Sequence, residues 1–458
     1  MTVSLPRSTP SAQSVDARGV LDLLDALEAA EGVELHGLVI VHGGEVIAEG
    51  WWSPYSAERL HLFYSLSKSF TSTAVGLAAA EGLLDLDDTV LSHFPELDAE
   101  VTDPRSRRIR IRDVLAMASG HRSETIDRAR EIDPVDMVRG FLLTPPEEEP
   151  GSVFAYNQPC TFAAAAIVQR VSGESLVDYL RPRLLDPLGI GEVAWTRDES
   201  GREIGYSGLH ATTEDAAKLG LLYLQDGRWN GEQLLTPEWV AEASRAHIAT
   251  PGEGGTDWVQ GYGFQFWRSQ HGYRADGAYG QFSLIVPEHD LVVAITGQTT
   301  DTGALLAGVW EHLLPAVGRA SSAEADAALA ARLASLALPP LASAADAPAP
   351  GRYSPATGSE PSSLTAVEIA GGDPWTIALI EGDERLLLAP GTGEWVASGV
   401  HAAGAGRAED GALLVDVVFL ETPHRLQVRV SPESGTFSAR WQTAPLHVDS
   451  LATVRAPR

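Results

Sequence analysis

The sequence predicts an α+β architecture: an antiparallel sheet flanked by helices, followed by a small all-β, barrel-like C-terminal domain. Three observations carry this. Two β-rich runs meet at the turn Gly43-Gly44. A second set of alternating runs occupies residues 262–296, and the stretch between the two sets has helical spacing. Past an Ala-, Ser- and Pro-rich segment the runs become short, alternating and separated by glycine turns.

The elements follow in order. Val15 to Ala30 places Leu21, Leu23, Leu24 and Leu27 at helical spacing. Gly37–His42 and Glu45–Ala48 form a hairpin around the double glycine. A helix opens at Ser65 and ends near Gly82, and its small residues suit burial on several sides. Arg112–Gly120 reads as a short helix stopped by glycine. Further helices cover Thr161–Val171 and Thr213–Leu224, the latter capped by Thr212 or Thr213. The period then changes to two. Tyr262–Trp267, Gly272–Gly277, Gln281–Val286 and Leu291–Thr296 read as strands, with Pro287–Asp290 as a turn, and a helix from Leu305 to Leu314 closes this part. Hairpin-like connections favour an antiparallel sheet.

The domains expected are residues 1–318, an Ala/Pro-rich linker at 319–350 whose first half has helical character, and an all-β domain at 351–458. Alternating runs in the last include Leu364–Ile369, Arg385–Leu388, Leu413–Leu420 and Arg425–Val430.

Composition removes several function classes. The 458 residues carry a formal net charge of −29, which repels nucleic acid and anionic membranes. The N-terminus lacks an apolar signal core and no run of 18 apolar residues occurs, so the expectation is a cytoplasmic protein with no membrane partner. A single cysteine, Cys160, excludes an intrachain disulfide and reads as a buried thiol. The 13 histidines are scattered without metal-ligand spacing, so neither metal nor cofactor is expected.

The chemistry concentrates in Ser65-Leu66-Ser67-Lys68. A serine hydroxyl needs a base within hydrogen-bond reach to become a nucleophile. Residues three apart share a helix face, and the free N–H groups of a helix start favour developing negative charge. Ser65 and Lys68 thus form a candidate activated serine, against the bland reading of a capping serine and an exposed lysine.

Phe63-Tyr64-Ser65-Leu66-Ser67-Lys68 resembles the nucleophile helix of serine β-lactamases and penicillin-binding proteins, especially class C β-lactamases and their esterase and amidase relatives. The resemblance recurs in order through Leu115–His121, Tyr156-Asn157-Gln158, Gly208–Leu224 and Ala275–Gln281, covering roughly residues 20–315. It implies Ser65 as the acylated nucleophile, Lys68 as the group taking or sharing its proton, and Tyr156 as a proton relay. That relay is expected to need a phenol pKa lowered by Lys68. It also implies an oxyanion hole of the Ser65 and Ala278 N–H groups, and substrate contacts from Asn157, Gln158 and Gly277; Asp276 and the aromatic Tyr279, read from their residue types, are further candidate substrate contacts.

Two departures qualify this. The tyrosine motif ends in Gln158 with Asn157 before it, so which side chain reaches the nucleophile is open. The strand tripeptide is Ala275-Asp276-Gly277 where penicillin-type enzymes place a lysine and a hydroxyl, which disfavours anionic β-lactams and peptide termini. In this the segment looks more like esterases and 6-aminohexanoate-dimer hydrolases. Asp276 binds an ammonium group, or else pairs with Arg274 or points to solvent. The expected partner is a small ester or amide; a β-lactamase or D-amino-acid peptidase and a silent binding protein are the alternatives. The C-terminal domain resembles β-barrel appendages of some related peptidases, serving either access to the site or assembly into a homo-oligomer.

Overall fold

The computed structural model describes residues 3–252, 257–342, 349–360, 363–447 and 450–457. Its central element is a six-stranded sheet in the order Glu45–Trp51, Val33–His42, Leu291–Thr299, Gln281–Val286, Tyr273–Gly277, Trp267–Arg268, every neighbour antiparallel. The pleat sends alternate side chains to opposite faces. Val39 and Val41 enter one core with Phe70 and Ala74, while Leu38 and Ile40 enter another with Leu23 and Leu24. Both faces are therefore covered by helices, and the expected sheet-and-helix arrangement is present.

The helix Thr213–Leu224 has the expected bounds. Its Thr212 hydroxyl accepts from the Asp215 N–H at 3.2 Å, and the Asp215 carboxylate accepts from the Thr212 N–H at 3.0 Å. The expected strand Tyr262–Trp267 is corrected: only Trp267–Arg268 pairs into the sheet. Gln265 has φ +64° and turns its amide inward, donating to the carbonyls of Val114 and Leu115 at 3.2 and 2.7 Å. Those bonds hold the chain off the sheet.

The expected linker is corrected as well. A helix at Ala323–Leu333, capped by Ser322, packs on the helix Ala17–Ala29 and buries Ala325 and Leu329. Leu336 and Leu338 are also buried, and the Leu338 N–H donates to the Ser53 carbonyl at 2.8 Å. The segment thus belongs, as far as Leu338, to the core that holds Leu23 and Leu24, and residues 343–348 of the expected linker lie outside the described residues.

The C-terminal part is one ten-stranded sheet running from Glu384–Leu388 at one edge to Gly391–Thr392 at the other. Gly351–Pro355, Thr376–Glu381 and Thr436–Trp441 are strands in addition to those expected. Ile377 and Leu379 from one half share a core with Val415, Val428 and Phe437 from the other, so the sheet curls around its own apolar face. Ala402, Val418 and Leu420 join the core of the first part, which docks the two parts together.

Candidate active site

Ser65 does not lie in the α-helix itself. It occupies a tight 3-10 turn, Tyr64–Leu66, and the helix runs Ser67–Ala80. Tyr64 has φ +48°, so the chain enters the turn from the left-handed region, and Ser65 and Lys68 meet through the junction of turn and helix. The helix is buried almost throughout and its hydroxyls tie loops onto it. Ser69 donates to the Gln265 carbonyl, Thr71 to the Gly205 carbonyl and Ser72 to the Phe264 carbonyl, at 2.7–2.9 Å, while Ser67 accepts from the Leu209 N–H at 3.0 Å.

Lys68 is 1% exposed. Its Nζ lies 2.9 Å from Ser65 Oγ, 2.6 Å from Gln158 Oε1 and 2.7 Å from the Tyr206 carbonyl. Burial lowers its pKa from 10.5 to about 7, against the pull of Glu124, Asp276 and Cys160. A neutral amine has two N–H groups and one lone pair. The carbonyl oxygens of Gln158 and Tyr206 only accept, so they take the two hydrogens and leave the lone pair facing Ser65.

Tyr156 and Ser65 interact through their hydroxyls, and the Tyr156 ring lies 4.8 Å below Lys68 Nζ. It stacks on Trp267 at 5.6 Å, with Tyr262 edge-on at 6.2 Å. The expectation of a lowered phenol pKa is corrected. Burial among these rings raises it, and the Ser65 hydroxyl offsets only part of the rise. The phenol stays protonated at neutral pH.

The loop at Leu115–His121 braces Tyr156. Met117, at φ +55°, accepts from the Ala155 N–H at 3.0 Å, and the Ala118 carbonyl accepts from the Gly151 N–H at 2.7 Å. Asn157 is buried and its Oδ1 accepts from the Thr125 N–H and hydroxyl at 3.0 and 2.9 Å. Thr125 thus takes the asparagine, and Gln158 is the side chain that bonds Lys68. Glu124, which no motif marks, sits alongside: it accepts from the N–H groups of Thr125, Ile126 and Gln158 at 2.9–3.1 Å. Burial raises its pKa. Its one sequence signal is an acid at the start of a helix.

Gly277 ends its strand against the turn Tyr64–Leu66. A Cβ there would stand 2.2 Å from the Phe63 carbonyl oxygen and 3.1 Å from the Leu66 nitrogen, so only glycine lets the strand approach. Ala278 follows, its carbonyl accepting from Gln281 Nε2 at 3.1 Å. Asp276 pairs with Arg274, Nε to Oδ2 at 2.9 Å; Arg274 is fully buried and also donates to Ser269 Oγ at 2.7 Å. The ammonium-binding expectation for Asp276 gives way to this pair. Tyr279, expected as a substrate contact, instead donates its hydroxyl to the Ala444 carbonyl at 2.7 Å. Cys160 is buried and its thiol pKa is pushed up to about 12 by burial, as a structural thiol requires. Among the described residues no group of three or more His, Cys, Asp or Glu is placed to hold a metal ion, and no helix is long and apolar enough to cross a membrane.

A 6-aminohexanoate-dimer hydrolase from Paenarthrobacter ureafaciens is 28% identical over 280 residues, 56% of this chain and 70% of that protein. A lovastatin esterase from Penicillium rubens is 27% identical over 170 residues, 32% of this chain and 42% of that protein. The octameric penicillin-binding protein homologue from Pyrococcus abyssi superposes with a TM-score of 0.51 at 16% identity, over 90% of this chain and 97% of that one, so the likeness in fold includes the C-terminal part. The family model for β-lactamases matches residues 22–318. The chain belongs to the β-lactamase family.

Proposed function

We propose that this chain is a serine hydrolase that cleaves ester or amide bonds of small substrates through an acyl-enzyme on Ser65. The observation that carries the reading is the 2.9 Å contact between Ser65 Oγ and a buried Lys68 whose remaining hydrogens are engaged by two carbonyls. Lys68, with a pKa of about 7, is the general base and takes the Ser65 proton as Oγ bonds to the substrate carbonyl carbon. The N–H groups of Ser65 and Ala278 receive the oxyanion. Tyr156, kept protonated by burial, donates to the leaving oxygen or nitrogen and is reprotonated by the Lys68 ammonium, so the serine proton ends on the leaving group. Water then attacks the acyl ester, giving its proton to the same pair, and the free acid departs with Ser65 restored.

The names of the relatives support ester or amide work. A β-lactamase or D-amino-acid peptidase is the second reading and is disfavoured by Asp276: paired with it, the buried Arg274 of the same strand is already neutralised and is not offered to an anionic group. The relative from Pyrococcus abyssi is octameric, which keeps self-association within the proposal. A panel of short-chain nitrophenyl esters, nitroanilides and a chromogenic cephalosporin tests the reading. Turnover of esters or anilides, lost in Ser65→Ala, is the expected result. Turnover of the cephalosporin alone selects the second reading, and no turnover of any substrate selects a silent fold.

A further inference from the structure

The residues adjoining the two proposed oxyanion donors share a strained backbone. Tyr64, just before Ser65, has φ +48°, and Tyr279, just after Ala278, has φ +65°. Non-glycine residues hold this region only where their surroundings over-determine it. Both side chains are tyrosines, they meet edge to face at 5.3 Å, and the C-terminal domain holds both. The Tyr64 hydroxyl donates to His424 Nε2 at 2.5 Å, and the Tyr279 hydroxyl donates to the Ala444 carbonyl at 2.7 Å. The His424 ring lies edge-on to both, at 5.8 and 5.4 Å.

His424 is fixed from behind. Its Nδ1 donates to the Thr443 carbonyl at 2.9 Å, which leaves Nε2 as an acceptor. Burial lowers its pKa to about 4, so the imidazole is neutral and keeps this tautomer. One corner of the curled sheet supplies both partners, since the strand after His424 pairs with the strand before Thr443, Leu426 opposite Trp441. The corner is bolted to the first domain by Leu62 N–H to the Glu421 carbonyl at 2.8 Å, Arg425 to Glu34 at 2.6 Å and Gln442 to Gln298 at 3.0 Å.

We propose that the C-terminal domain is a working part of the active centre: through His424 and the Ala444 carbonyl it locks Tyr64 and Tyr279 in left-handed conformation and thereby aims the Ser65 and Ala278 N–H groups at the oxyanion. This rests on the serine-hydrolase reading. Tyr64, Tyr279 and His424 are positioning residues that need not touch the substrate. Donors aimed at the transition state raise kcat with little effect on ground-state binding.

The test uses the full chain with a short-chain nitrophenyl ester and a fluorophosphonate, comparing wild type with Tyr64→Phe, Tyr279→Phe, His424→Leu and His424→Gln. The expected result is a fall in kcat of about 10- to 100-fold in the first three, with KM within about twofold, because a small misplacement of these donors costs rate. His424→Gln, whose amide oxygen accepts from Tyr64, restores most of the rate. Tyr64→Phe combined with His424→Leu is no slower than the worse single variant, since the two form one contact. If His424→Leu fails to fold, the tyrosine variants, each lacking one oxygen, decide. Full kcat in both tyrosine variants, or a change confined to KM, overturns the proposal and leaves the serine mechanism standing. A wild-type chain inert to both reagents overturns both.

Discussion

Lys68 Nζ and Ser65 Oγ lie 2.9 Å apart, and the lysine's other two partners are the carbonyl oxygens of Gln158 and Tyr206. The arrangement suits a neutral amine, and burial lowers its pKa to about 7. In the proposed mechanism the base form is the active one. The rate kcat/KM should therefore fall about tenfold per pH unit below a midpoint near 7 and level off above it. A pH profile with a non-ionising ester measures this.

The same burial has a stability cost of known sign. The unfolded lysine titrates at 10.5 and the folded one at about 7, so between these values the unfolded chain binds the extra proton. Stability arising from this group rises with pH across that window, and below about 7 the full penalty stands. The gap corresponds to about 5 kcal/mol as an upper bound. Lys68→Met should abolish turnover and raise the melting temperature at pH 6, read by calorimetry.

Tyr156 acts as a protonated phenol in this account. Tyr156→Phe should lower kcat by about 10²–10⁴-fold and leave the acidic limb of the pH profile in place, because that limb belongs to Lys68. Movement of the limb on removing the phenol would reassign the base.

Gly277 spaces the strand from the turn Tyr64–Leu66 that carries Ser65. Gly277→Ala puts a methyl 2.2 Å from the Phe63 carbonyl oxygen, which neither backbone can relieve without moving Ser65. Activity should fall by roughly 10²-fold for a shift on the order of 1 Å. Steady-state kinetics beside circular dichroism separate this loss from unfolding.

Asp276 is the counter-charge of a buried arginine. Asp276→Asn should destabilise the fold by roughly 3–5 kcal/mol, because Arg274 keeps its charge and loses its partner. The ratio of cationic to neutral ester hydrolysis should not change. A lost preference for cationic esters with unaltered stability would return Asp276 to substrate binding.

What the sequence disclosed and what it hid divide by range. The helix Thr213–Leu224 was legible to the residue because its capping box is local. The hairpin and the strands Gln281–Val286 and Leu291–Thr296 were legible from apolar runs bounded by turns, although the last strand continues to Thr299. The contact of Ser65 with Lys68 followed from a three-residue spacing, although a 3-10 turn and not the helix delivers Ser65. Choosing between Asn157 and Gln158 required knowing that Thr125 would claim the asparagine. The phenol pKa of Tyr156 depends on burial among Trp267 and Tyr262, more than 100 residues away in sequence. The irregular path at Gln265 depends on carbonyls 150 and 151 residues distant, and Tyr64 meets His424 across 360 residues. No periodicity or motif encodes such pairings.

The central claim is that Ser65 carries the acyl group. Intact-mass spectrometry after rapid acid quench of the chain with a slowly deacylating nitrophenyl ester tests it most directly. The account predicts a single adduct equal to the acyl mass, mapped by peptide digestion to Ser65 and missing in Ser65→Ala. Turnover without an adduct, or an adduct that persists in Ser65→Ala, would contradict it.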